Sequence, residues 1–107
     1  MKNNPVIYTV TVIDMYTDKV LGIRRTPGIF TELRFAQHVV RNNTKDLSDG
    51  GLYQYAVIEE TLLNVVRPCV DMITPTHWWY KYNSATEEFE EFKCPPQLIH
   101  QCGFGIG

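Results

Sequence analysis

The stretch THWWYKYNSATEEFEEFK, Thr76–Lys93, decides the fold, because it holds two aromatic runs on either side of a polar turn. His77–Asn83 (HWWYKYN) and Glu87–Lys93 (EEFEEFK) both have the composition of short strands, and NSATE supplies the residue types that turns use. The pattern predicts an antiparallel hairpin. The double proline of CPPQL, which follows, is expected to end the sheet.

Upstream of this hairpin, the run VIYTVTVI, Val6–Ile13, is dense in β-branched residues and predicts a strand. A short polar turn leads into VLGIRR, Val20–Arg25, which favours an antiparallel pairing of the two strands. The TPGIF segment is expected to end the second strand, because Pro27 has no backbone N–H to donate.

The segment TELRFAQHVVRNN, Thr31–Asn43, predicts a helix of about three turns that begins with Thr31 as its N-cap and stops at the two asparagines. Its apolar stripe consists of Leu33, Ala36 and Val40. One face of this helix is therefore expected to cover a sheet.

After a polar loop, LYQYAVIEETLL, Leu52–Leu63, predicts another strand, and Glu59 and Glu60 are expected to mark the point where it leaves the core. Residues 64–76 are interpreted as a connector. The tail, residues 94–107, either folds back through Phe104 and Ile106 or is mobile. The predicted order is β-β-α-β-β-β, an α+β domain over 1–107 with one helix on one face of a mostly antiparallel sheet.

Composition narrows the class of protein. The 107 residues, 44% of them hydrophobic, have the length of one globular domain. The sequence has no apolar run long enough for a signal peptide or a membrane span, and its three cysteines are an odd set, so a cytosolic protein is expected. Residues 1–50 carry seven basic against five acidic side chains and residues 51–107 three against seven, a weak polarity.

Aromatic residues on the first hairpin strand suggest a binding surface. Alternation along that strand puts Trp78, Tyr80 and Tyr82 on one face and Trp79 on the other. A single helix can cover only one face, so at least one tryptophan is a candidate for a partly exposed protein-binding surface, including self-association. The alternative is that other parts of the chain bury the second face.

The second hairpin strand is acidic, with Glu87, Glu88, Glu90 and Glu91. These charges oppose direct nucleic-acid binding, which needs basic neighbours for the phosphates, and they fit a solvated edge strand. An acidic hairpin, with Glu88 and Glu90 as binding residues, could instead imitate nucleic acid and make the protein a phage-type inhibitor of a nucleic-acid-processing or defence complex.

Cys94, His100 and Cys102 lie close together in sequence, but CPPQLIHQC has no familiar zinc-site spacing. The same residues also lack an evident orienting acid or oxyanion hole. A small zinc or thiol protein remains a third hypothesis, while the expectation is a non-enzymatic protein without a metal or cofactor.

The run YQYAVIEE, Tyr53–Glu60, followed by WWYKYN and a Pro-terminated strand, resembles small uncharacterised proteins of bacteria and their phages. In those proteins a strand with a V-I-E triplet precedes a W-Y hairpin, and the likeness extends over Tyr53–Pro95. The resemblance implies a compact α+β accessory protein and assigns no catalytic residue.

Overall fold

The computed structural model describes residues 6–15, 21–62 and 77–93, which form a five-stranded sheet and a helix. The elements follow one another in the predicted order β-β-α-β-β-β, and the α+β class is confirmed. Their bounds are β1 Val6–Met15, β2 Leu21–Phe30, α1 Leu33–Arg41, β3 Tyr55–Leu62, β4 His77–Asn83 and β5 Glu88–Phe92. The predicted connector 64–76 and the tail 94–107 lie outside the described residues.

All the strand pairs of this sheet are antiparallel, in the order β2-β1-β3-β4-β5. Two hairpins, β1–β2 and β4–β5, are confirmed as predicted from the short polar turns between their strands. Strand β3 joins the two hairpins, because it pairs with β1 on one side and β4 on the other. The aromatic strand β4 is therefore interior, and β2 and β5 are the outermost strands of the described sheet.

Strand β2 is longer than predicted, and the expectation that TPGIF would end it is wrong. It runs on through Pro27 and Gly28 to Phe30. Two irregularities of register accommodate this, one of which sets Thr26 and Pro27 together against Thr11 of β1. Proline is tolerated in outer strands and at bulges, where no ladder hydrogen bond needs its missing N–H.

Helix α1 begins one residue later than predicted. Its N-cap is Glu32, in an extended conformation and without a capping side-chain bond, so the assignment of Thr31 as N-cap is wrong. The helix ends at the two asparagines, as predicted. Asn43 has a left-handed φ of 46° and donates its N–H to Val40 O, while Thr44 donates to Val39 O. This pair of bonds forms a Schellman motif with asparagine at the left-handed position.

The helix and the loop after it cover one face of the sheet. Ala36 and Val40 of α1 and Leu47 and Tyr53 of the loop are buried against the sheet. The sheet residues of this core, which lie on one face by strand alternation, are Val10, Val12, Ala56, Ile58, Tyr80 and Phe89. This arrangement confirms the predicted role of the helix.

The opposite face of the sheet, called the second face from here on, is also buried at its centre. Ile13, Met15, Val57 and Trp79 form a second apolar cluster there, with Trp79 only 8% exposed. The expectation that this face would meet water or a partner is therefore wrong at its centre, and the alternative, burial within the fold, is the one observed.

The loop between α1 and β3 has a hydrogen-bonded framework of its own. Ser48 is fully buried, accepts the Asn43 amide at 3.3 Å and donates to Asp46 at 3.0 Å. The Asn43 amide also donates to Glu87 O at 3.1 Å, which ties the end of the helix to the turn before β5. The Gly50 N–H and the Ser48 hydroxyl, which donate to Asp46, lower the pKa of this carboxyl below its usual value of 3.8.

Candidate functional site

The aromatic side chains of β4 are mainly part of the core. Trp78, Tyr80 and Tyr82 lie on the helix side and Trp79 on the other, as the alternation predicted. Tyr80 is 1% exposed and Trp79 8%, whereas Trp78 and Tyr82 are half-buried. Trp78 packs edge-on against Tyr8 with ring centroids 6.2 Å apart. Only Trp78 and Tyr82 of this predicted surface thus keep a solvent-accessible part.

The Tyr80 hydroxyl lies in a charged setting between α1 and β5. It is buried and has no hydrogen-bond partner at bonding geometry among the described residues, although Arg41, Gln37 and Glu91 are near it. Burial raises the pKa of Tyr80, Glu91 raises it further, and the positive charge of Arg41 opposes this. Arg41 donates to Glu91 at 2.6 Å in an exposed ion pair. These charges serve to fasten the helix to the outer strand β5.

A buried polar pair occupies the second face. Glu59 is 1% exposed, and its Oε2 lies 2.9 Å from His77 Nε2. The prediction that Glu59 marks the exit of its strand from the core is wrong, because β3 carries this carboxylate to the position opposite His77 of β4. A buried carboxylate needs such a partner to offset its lost hydration. Thr9, opposite Glu59 on β1, has a buried hydroxyl that makes no hydrogen bond within the described part of the chain.

The outer strand β5 presents charge and one aromatic ring. Glu88, Glu90 and Glu91 are exposed, which agrees with the predicted solvated edge. Phe92 is 41% exposed, lies opposite Trp79, and has the Lys81 ammonium 5.2 Å from its ring centroid. Glu90 lies opposite Lys81. The grooves along β4 and β5 are open to the surface.

The other outer strand, β2, presents the most exposed apolar side chains of the described residues. Ile23 and Ile29 are each 60% exposed, and Arg24 and Arg25 lie between them in sequence. The Arg25 guanidinium lies 5.7 Å from the centroid of the Tyr53 ring. Sequence reasoning left two alternatives for Arg24 and Arg25, an arginine cluster that binds an anion or an acidic partner, or scattered solubilising charges. It missed the two exposed isoleucines, although Pro27 within an otherwise strand-like run is a known signal of an outer strand.

No group of three metal-binding side chains occurs among residues 6–15, 21–62 and 77–93. Cys94, His100 and Cys102, which carry the zinc or thiol hypothesis, lie outside that range, so the hypothesis stays a prediction. In the same part of the chain, no helix has the length and apolar character needed to cross a bilayer.

No protein-family model matches this chain, and comparisons with curated proteins and with solved structures find no match either. The candidate interface therefore rests on the exposed side chains of β2 and β5 alone.

Proposed function

We propose that this protein is a non-enzymatic, cytosolic binding module that contacts a protein partner through the outer side of β2. The observation that carries the proposal is the exposure of Ile23 and Ile29, 60% each, on an outermost strand of the described sheet. The aromatic face of β4 takes little part, because Trp79 and Tyr80 are already buried.

The composition of this surface supports a protein partner. Covering an isoleucine that is 60% exposed removes apolar area worth about 1–2 kcal/mol before the costs of association. Arginine is enriched at protein interfaces, and Arg24 and Arg25 lie between the two isoleucines in sequence. The occupant is accordingly a protein surface that offers both carboxylates and an apolar group.

Side chains, rather than an added strand, make the contact. A strand that docks on β2 would need a regular row of N–H and C=O groups, but Pro27 lacks the N–H and two bulges bend the strand. Such features protect natural sheets against uncontrolled pairing of their edges. Binding is therefore expected to be reversible and sensitive to salt.

The test is photo-crosslinking from position 29. A benzophenone amino acid replaces Ile29 in cells that make the protein, with the same substitution at Lys45, an exposed loop residue, as the matched control. Position 29 is expected to give a discrete protein adduct that position 45 does not give. Failure to form any protein adduct at position 29, with thermal unfolding unchanged, contradicts the proposal.

The exposed glutamates of β5 favour a second candidate, an inhibitor of a nucleic-acid-processing complex. Such an inhibitor would occupy a basic cleft, and neutral substitution of Glu87, Glu88, Glu90 and Glu91 is expected to abolish inhibition together with its salt dependence. The Arg41–Glu91 pair and the Lys81 ammonium beside Phe92 already offset part of this charge. Unchanged inhibition by the quadruple variant would remove this candidate.

A further inference from the structure

Residues that lie opposite one another on successive strands form rows that cross the sheet from β2 to β5. Arg24 and Arg25 of β2 lie at one end of two such rows, and Glu90 and Glu91 of β5 lie at the other end. On the second face, the cross-strand pairs connect one row in the order Arg24, Ile13, Tyr55, Lys81, Glu90. On the helix face, the adjacent row follows the order Arg25, Val12, Ala56, Tyr80, Glu91. Each row therefore begins with a guanidinium and ends with a carboxylate.

The strand directions allow the arginines of one molecule to lie beside the glutamates of another. Four antiparallel steps separate β2 from β5, so these two strands run in the same direction. A second copy placed beside the first in the same orientation brings its β2 next to β5 and keeps the two faces of the sheets aligned. Arg24 of that copy then comes to Glu90, and Arg25 comes to Glu91.

We propose that the partner of the β2 surface is the β5 strand of a second copy of this chain, an inference that rests on the function proposed above. Glu91 uses Oε1 for Arg41 and Glu90 uses Oε2 for Asn83, so among the described residues each carboxylate retains an oxygen for an arginine. Charge complementarity selects the second copy, because β2 contains two arginines and no acid, and β5 contains three glutamates and no base.

Apolar contacts extend the match on the second face. Phe92 lies one row beyond Glu90, and Ile29 lies two rows beyond Arg24 in the same direction. Rows on one face of a sheet are about 6.7 Å apart, so an offset of one row leaves the two side chains within reach of each other without backbone pairing between the molecules. The exposed Phe92 ring of one molecule therefore packs against the exposed Ile29 of the next.

This contact joins different surfaces of the two molecules, so each dimer still has one free β2 and one free β5. Head-to-tail contacts of that kind continue into rings or open chains rather than stop at a dimer. Exposed ion pairs are weak and are screened by salt, so the oligomers should dissociate on dilution and at high ionic strength.

The experiment is sedimentation velocity of the full chain over a hundred-fold range of concentration, at about 20 mM and about 300 mM salt. At low salt the wild type is expected to pass from monomer to a series of larger species, and at high salt to remain monomeric. R24E and E90R are each expected to weaken association about ten-fold, because each brings two like charges together in one row. Arg24 is exposed, so near-native thermal unfolding is expected for R24E. E90R also places an arginine opposite Lys81 and removes the Asn83 hydrogen bond, so its thermal unfolding is measured beside its association.

Rescue is the decisive control. The double variant R24E/E90R restores an opposite-charge pair in that row, with the signs exchanged, and is expected to associate as the wild type does. Wild type that stays monomeric at high concentration and low salt overturns the inference. Association that stops at a dimer, or that R24E and E90R leave unchanged, overturns it too.

Failure of the self-association inference does not by itself contradict the function proposed above. If the chain is monomeric but position 29 crosslinks to a different protein, the β2 surface binds another partner and only the inference is lost. If the chain associates as described but position 29 gives no adduct to any protein, including itself, the contact does not use Ile29, and the proposal that this isoleucine contributes to binding is wrong.

Discussion

Replacing Trp79 by alanine separates a core role from a binding role for the aromatic strand. Trp79 is 8% exposed and packs in the cluster of Ile13, Met15 and Val57 on the second face. An aromatic side chain of this kind buries about 150–250 Å², worth about 4–6 kcal/mol at 25 cal/mol per Å², and this area-based figure is an upper estimate. Measured losses for such truncations are about 3–5 kcal/mol.

A loss of this size would be a large part of the total stability, which for a domain is about 5–15 kcal/mol. At this chain length it lowers Tm by about 12–20 °C, taking about 4 °C per kcal/mol. Urea unfolding followed by circular dichroism measures the change, with Phe92→Ala as the matched control. Phe92 lies opposite Trp79 and is 41% exposed, so its truncation should cost about 1–2 kcal/mol. A loss below about 1 kcal/mol for Trp79→Ala would refute the assignment of Trp79 to the core.

Three further substitutions test other parts of the fold. His77→Phe removes a partner of the buried Glu59 and should cost about 3–5 kcal/mol, while the double variant with Glu59→Leu should cost less than the sum of the two single changes in urea unfolding. Additive losses would contradict coupling. Asn43 has a left-handed φ of 46°, so Asn43→Ala should lower the free energy of unfolding by about 1 kcal/mol more than Asn43→Gly. Both variants lose the side-chain amide bonds, but only alanine strains the left-handed backbone. Equal urea midpoints for the two variants would contradict this. Asp46 has a lowered pKa, so its stabilisation is present above about pH 4 and is lost as the pH falls through the folded-state pKa. Asp46→Asn should therefore lower the urea midpoint at pH 7, and its difference from the wild type should shrink as the pH falls below about 4, whereas a pH-independent difference would contradict the role of the charge.

Local patterns were enough to predict much of the fold. The alternation of Trp78, Trp79 and Tyr80 along β4, the two hairpins and the end of the helix at its asparagines all depend on neighbouring residues, and each is confirmed. Side-chain alternation has a period of two residues whatever the rest of the chain does, so it can be read without knowledge of the partner strands.

The errors came from features that depend on distant parts of the chain. Pro27 was expected to stop β2, and only the outer position of that strand in the sheet permits it to continue. Glu59 was expected to mark an exit to solvent, whereas β4 supplies His77 directly opposite it. Neither the strand order nor the cross-strand register is visible in a single sequence. The continuation of β2 through Pro27 and the pairing of Glu59 with His77 could therefore not be predicted from it.

The match between the Arg24–Arg25 pair and the glutamates of β5 is likewise a property of register. In the β1–β2 pairing, Arg25 opposite Val12 and Arg24 opposite Ile13 form a regular segment with a bulge on each side. A slip of one residue there would exchange the two arginines between the faces of the sheet and remove both from their rows. The bulges therefore have two effects. They deny a neighbouring strand a straight edge to pair with, and they fix the two charges in the rows that end in Glu90 and Glu91. An outer strand built in this way can associate through its side chains while resisting the continuous backbone pairing that leads to aggregation.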